Sequence, residues 1–282
     1  DSGGHTDHRA AMALLPSMLE LRDRMQEEYN YDVKLRVGLG GGISTPMAAA
    51  GAFAMGAAYV ATGSVNQACV ESGSSAFVKE TLANATETDV IQAPAADMFE
   101  MGVTVQVLKK GTRYAQRSTK LYDLYRKYED MDALPAEDRA QLEADLFRAP
   151  LEEIWAQTRA FFLERDPKQA EKADANPRHK MALVFRWYLG QSSGWAIRGV
   201  EDRRDDYQIW CGPAMGAFNV WTKDSFLAEP ENRSVVTVAL NILYGAAVVL
   251  RANNLRQQGI SVSNTDARFT PMTRQELKEY IR

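Results

Sequence analysis

The chain is poor in cysteine, in excess cationic charge and in unbroken apolar sequence, and each shortage excludes something. Its two cysteines, Cys69 and Cys211, stand far apart with no CxxC or Cys/His spacing. No metal site is therefore expected, and both are read as reduced, buried thiols in a cytoplasmic setting. With 33 Lys and Arg against 37 Asp and Glu, the net charge is -4 and the pI about 5.6. Neutralising nucleic-acid phosphates needs a clustered basic face, so no nucleic acid is expected as a partner and small molecules or proteins fit better. The longest apolar run, 235–250, is interrupted by Thr237, Asn241 and Gly245. It falls short of the ~20 residues a membrane span needs and is read as a buried helix, with no membrane partner. No apolar segment of a signal peptide follows Asp1, and with no initiator Met the start is read as artificial.

What is present is ordinary globular composition: 282 residues, 45% hydrophobic and 25% charged, enough for one large core or two moderate ones. The first eighty residues alternate between glycine-rich turns and periodic segments, as two βα units of a parallel α/β fold would. Residues 14–28 have apolar side chains at helical spacing. Residues 33–39 form a strand candidate that ends in Gly40-Gly41-Gly42-Ile43, after which Ser44 or Thr45 caps a helix over 47–55 with Pro46 at its first position. Residues 57–62 form the next strand candidate, ending at Gly63-Ser64. From about Asp89 long charged, amphipathic segments take over, and helices are expected over 120–130, 136–147, 151–165 and 180–189, with Pro135, Pro150, Pro167 and Pro177 near their boundaries. A long apolar helix over 235–258 follows, and the polar tail after Ser261 is assigned no element.

Two consecutive strand ends finishing in Gly41-Gly42 and Gly63-Ser64 form a candidate phosphate cradle. Glycine lets backbone N–H groups come close to a phosphate, and a helix N-terminus adds a favourable dipole. TIM barrels place a phosphate site at the loops after their last two strands. Ser2-Gly3-Gly4-His5-Thr6-Asp7 adds an imidazole on a glycine-flanked loop, with Asp7 close enough in sequence to orient it.

Ser-Gly-Gly-His-Thr-Asp, then Val-Gly-Leu-Gly-Gly-Gly-Ile at 37–43 and Thr-Gly-Ser-Val-Asn-Gln at 62–67, resemble the flavin-binding half of the nitronate monooxygenase and FMN enoyl reductase superfamily. The stretches 93–100, 105–109, 181–189 and 206–219 look like the PfaD-type enoyl reductases, which serve polyunsaturated fatty acid synthases and trans-acyltransferase polyketide synthases; the match runs from Asp1 to about Gly259. The resemblance implies an α/β fold: the C-terminal portion of a flavin-binding TIM barrel over 1–88, a helical substrate and carrier-protein region over 89–260, and a polar tail over 261–282. It implies that Gly41, Gly42, Gly63 and Ser64 hold the FMN phosphate, that Gly3, Gly4 and His5 border flavin and substrate, and that Gln67 faces the cofactor. His5 becomes the catalytic candidate, NAD(P)H the hydride donor, and an acyl carrier protein bearing a 2-enoyl chain the partner. A homodimer is left open. Only two barrel strands precede the helical region, so the fragment alone is expected to bind FMN poorly, to aggregate and to be inactive.

Two other readings stand beside this one. A nitronate monooxygenase would use the same histidine as base on a nitroalkane, though a small substrate has little need of the helices after Asp89. A non-catalytic helical interaction module with a vestigial half barrel would never retain flavin. The aromatics Trp155, Phe161, Phe162, Phe185, Trp187 and Tyr188 are read as core, and Arg203-Arg204, flanked by Glu201, Asp202, Asp205 and Asp206, as a solvated mixed-charge loop.

Overall fold

The computed structural model describes residues 10–280. The chain forms two compact units, one comprising residues 1–90 and 210–282, the other residues 91–209. The expected boundary near Asp89 falls beside this division. The expected single region 89–260 does not persist as one body, because the chain after Trp210 packs with the first unit rather than with the helices that precede it.

The first unit opens with helix α1 (Ala11–Tyr29), which carries Pro16 inside it and ends in Asn30, a left-handed residue at φ 45°. Strand β1 (Leu39–Gly40) leads to helix α2 (Pro46–Ala54), and strand β2 (Val60–Ala61) to the short helix α3 (Ser64–Gln67). The expected strands over 33–39 and 57–62 thus shorten to two residues each. The ladder runs on through isolated bonds, the Leu39 N–H to the Tyr59 carbonyl at 3.0 Å and the Ala58 N–H to the Val37 carbonyl at 2.8 Å. Helix α4 (Ala76–Ala83) closes this part of the chain.

Strands β3 (Val90–Pro94) and β4 (Thr104–Leu108) come next and pair with each other. Helices α5 (Tyr114–Lys127), α6 (Ala136–Gln141), α7 (Leu151–Arg165), α8 (Pro167–Ala175) and α9 (Pro177–Arg198) follow. Pro167 and Pro177 open α8 and α9, where a missing N–H costs nothing. The expected helix over 136–147 changes character halfway: residues 142–147 form a π-helix, and the buried guanidinium of Arg203 takes the freed carbonyls of Leu146 at 2.6 Å and Phe147 at 3.0 Å. Arg203 is therefore no part of a solvated loop. It stacks 4.2 Å over the Trp195 ring and pairs with the fully buried Asp206 at 3.2 Å. Asp206 also accepts from Arg117 and, at 2.7 Å, from the Tyr188 hydroxyl.

Of the six aromatics read as core, Phe185 and Tyr188 are fully buried, where each contributes about 1.5–3 kcal/mol of hydrophobic stabilisation. Phe161 corrects that reading: it is 50% exposed.

Back in the first unit, helices α10 (Ala214–Thr222), α11 (Val235–Gln257) and α12 (Arg274–Tyr280) complete the chain. Helix α11 is long and apolar enough, by length and composition, to cross a membrane. It buries a stripe at Val238, Ile242, Gly245 and Val249, spaced four, three and four apart as one helical face requires, with Asn241 beside it, and packs on α2. Gly245 permits the contact, since a Cβ there would stand 2.6 Å from Pro46. The tail, expected to carry no element, is held by Asn241, whose amide donates to the Met272 carbonyl at 2.9 Å and whose oxygen accepts from the Met272 N–H at 2.7 Å. Leu277 of α12 is buried behind this clamp.

Candidate functional site

Strands β1 and β2 run parallel, with Leu39 opposite Val60 and Gly40 opposite Ala61. Their continuations therefore leave the ladder at the same end: Gly41-Gly42 after one strand, Thr62-Gly63-Ser64 after the other. The first turn is built from glycine for a steric reason. Gly41 has φ 96° and Gly42 φ 75°, both left-handed, and a Cβ on Gly42 would meet nothing within 4 Å, so its backbone faces open space. The chain then enters α2 through Thr45, whose Oγ1 accepts the Ala48 N–H at 3.3 Å, with Pro46 at the first helical position.

Thr45 takes the cap, which leaves its neighbour spare. Ser44 is 1% exposed and its Oγ has no hydrogen-bond partner among the described residues. A buried hydroxyl without a partner costs about 1–3 kcal/mol, so an oxyanion at the head of α2, with the helix dipole behind it, would relieve a penalty the protein alone carries. Phosphate chemistry fits these residues. The sequence signal was the adjacent pair of hydroxyls before Pro46, of which only one caps the helix.

The second turn is tied to a distant segment. The buried Ser64 Oγ accepts the Gly212 N–H at 2.9 Å, and the Gln67 amide donates to the Trp210 carbonyl at 2.7 Å. Gln67, expected to face the cofactor, thus spends a donor on holding residues 210–212 beside the turn. Asn66 secures the same turn from within, its amide donating to the Thr62 carbonyl at 3.0 Å. Gly41, Gly42, Gly63 and Ser64 follow the same end of the strand pair, whereas Gly3, Gly4 and His5 lie outside the described residues. Both thiols of this unit are kept protonated: burial, then Glu71, pushes Cys69 up to about 11, and burial, then Asp89, pushes Cys211 up to about 12. Among the described residues no three His, Cys, Asp or Glu side chains gather as metal ligands.

Residues 128–207 match the family described as [Acyl-carrier-protein] S-malonyltransferase, inserted helical domain. The chain is 45% identical over 277 residues to a polyunsaturated fatty acid synthase subunit of Thraustochytrium sp. (strain ATCC 26185 / S-3), covering 95% of this chain and 18% of that protein. It is 47% identical over 250 residues to the polyketide biosynthesis protein PksE of Bacillus subtilis (strain 168), covering 89% of this chain and 32% of that one. Among solved structures, the enoyl reductase domain of MlnA from the macrolactin biosynthesis cluster of Bacillus amyloliquefaciens superposes with a TM-score of 0.83 at 39% identity, over 90% of this chain and 57% of that one. The chain spans between 14% and 32% of the length of the curated relatives it matches. The mixed α/β, mostly helical structure fits a partial TIM barrel followed by a helical region. Homologous over about nine-tenths of its length to polyunsaturated fatty acid synthase subunits and polyketide biosynthesis proteins, the chain fits the PfaD-type enoyl reductases.

Proposed function

We propose that this chain supplies the phosphate-gripping part of an FMN-dependent enoyl reductase acting on carrier-protein-bound 2-enoyl thioesters in polyunsaturated fatty acid or polyketide biosynthesis. One observation carries the reading: two glycine turns leave a parallel strand pair at one end, and the buried Ser44 hydroxyl beside the first has no partner among the described residues. The homologues support a role in fatty acid or polyketide biosynthesis, and the MlnA domain supports a reductase.

When bound, FMN supplies the transfer of hydride from NAD(P)H to the β-carbon of the enoyl thioester. Holding it falls to the chain. Backbone N–H groups at Gly41 and Gly42 approach the phosphate unobstructed, the N-terminus of α2 favours its charge, and Ser44 Oγ donates to a phosphate oxygen. Ser64 and Gln67 keep the second turn in place through Gly212 and Trp210. His5, assigned from the resemblance alone, serves as hydrogen-bond donor to the thioester carbonyl, where enolate charge builds, or as proton source for the α-carbon. An acyl carrier protein is the expected partner.

The test is flavin content and turnover of the full-length protein that carries this chain. A hydrogen bond to a charged group contributes about 1.5–3 kcal/mol, so Ser44→Ala should weaken FMN binding about tenfold or more while leaving the apo chain no less stable. His5→Ala should retain flavin and lose reduction of crotonyl-pantetheine by NAD(P)H. Parent-like FMN affinity in both Ser44→Ala and Gly42→Val would remove the cradle, and turnover of a nitroalkane with oxygen but of no enoyl thioester would transfer the site to a nitronate monooxygenase.

A further inference from the structure

Helices α7 and α9 pack against each other, yet they leave between them a groove of about 590 Å³ lined on the α7 side by Thr158, Phe161 and Phe162. That volume lies in the range of about 300–1,000 Å³ typical of small-molecule sites. On α9 the groove takes Leu183, Trp187 and Gly190, spaced four and three apart on one helical face.

Gly190 opens it. Glycine weakens a helix interior, and here no neighbour calls for one: a Cβ would meet nothing within 4 Å. The missing side chain leaves a channel where α9 would otherwise fill the space. Phe161 stays half exposed at its edge, locked edge-on against Phe162 at 5.3 Å. Thr158 offers no polarity to the floor, because its hydroxyl is spent on the Ile154 carbonyl at 2.7 Å.

Of the groove's polar groups, Asp97 is an exposed carboxylate at the edge and the Gln157 amide donates to Glu153 at 3.3 Å. Arg186 is occupied by Glu100 at 3.3 Å. The Trp187 indole N–H and the Gln191 amide, four residues apart on α9 and both half-buried, make no hydrogen bond among the described residues. An apolar trough with unspent neutral donors suits an aliphatic chain that ends in neutral carbonyls. A docked protein helix would ask for a far broader surface, about 800 Å² on each partner.

We propose that this groove binds the aliphatic part of the acyl thioester, with Trp187 and Gln191 donating to the carbonyls of its pantetheine arm. The proposal rests on the reductase reading for its substrate class. Its consequence is selectivity: long chains fill the groove, and short ones leave it empty.

Saturated thioesters, which present no double bond to reduce, separate binding from activity. Calorimetry on the intact chain should show hexadecanoyl-pantetheine binding at least about tenfold more tightly than butyryl-pantetheine. Gly190→Leu should weaken hexadecanoyl-pantetheine about tenfold and leave butyryl-pantetheine unchanged, while Gly190→Ala stays close to the parent. Phe161→Ala, at an exposed position that risks little of the fold, should act in the same direction. Unchanged hexadecanoyl-pantetheine affinity in both Gly190→Leu and Phe161→Ala, or no binding by the parent, overturns the proposal. So does loss of unacylated carrier-protein binding in these variants with acyl-pantetheine affinity intact, which would make the groove a protein-docking surface. A full-length protein that binds hexadecanoyl-pantetheine through the groove but reduces no enoyl thioester sinks the reductase reading and spares the groove. Reduction of crotonyl-pantetheine by a chain whose long-chain affinity ignores Gly190→Leu does the opposite.

Discussion

Cys211 has no exposed surface, and its thiol, pushed up to about 12, stays neutral in the folded chain far above the 9.0 at which it ionises when unfolded. Cys69 behaves alike, with a folded value of about 11. Since the folded state holds its protons longer, the stabilisation is fully present below about pH 9 and is lost as the pH rises toward 11 and 12. At pH 10 the loss should be about 1 kcal/mol per thiol. The Cys69→Ala/Cys211→Ala double variant should therefore lose less stability than the parent between pH 8 and 10 in urea titrations, and equal slopes would refute the assignment. Gly42 raises a different question, one of backbone rather than charge. At φ 75° with open space around it, Gly42→Ala meets no atom but forces an L-residue into the left-handed region, at about 1–2 kcal/mol. A melting temperature unchanged by that substitution would mean the turn is not held in this conformation.

Helix α2 connects that turn to the core. Its buried alanines Ala49, Ala50 and Ala52 allow α11 to lie close, and Pro46 at its first position rests where Gly245 has no side chain. Gly245→Ala places a methyl 2.6 Å from both Pro46 and Phe269, and neither ring yields easily. Overpacking of this kind costs about 1–3 kcal/mol, and here it should shift the head of α2, lowering flavin retention along with stability; destabilisation with undiminished flavin content would show the two to be uncoupled. Elements were legible wherever local periodicity and proline agreed. Residues 151–165 appear as a helix over that same span because Pro150 precedes it and apolar residues recur at helical spacing. The slip into a π-helix at 142–147 was not legible, because it depends on carbonyls satisfied by Arg203 more than fifty residues later.

At the scale of the molecule, one buried carboxylate organises the 91–209 unit. Asp206 faces Arg117, Arg203 and, at 3.7 Å, Arg148. Asp206→Asn would strand buried guanidinium groups, and removing one partner of a buried pair costs about 3–5 kcal/mol. Hydrogen exchange should then lose protection across residues 91–209 while the amides of β1, β2 and α2 keep theirs; uniform loss along the whole chain would contradict two separately cooperating units. The order of residues by itself determined the glycine turns, the helix starts at proline, the approximate break near residue 90 and the resemblance carried by long motifs, because each depends on dihedral preference or pattern within a few neighbours. The tertiary structure alone decided that Thr45 caps α2 and leaves Ser44 unsatisfied, that Arg203 is buried, that the chain after Trp210 returns to the first unit, and that Phe161 borders a groove. Each of those outcomes turns on which distant group arrives, or fails to arrive, within hydrogen-bonding or van der Waals reach.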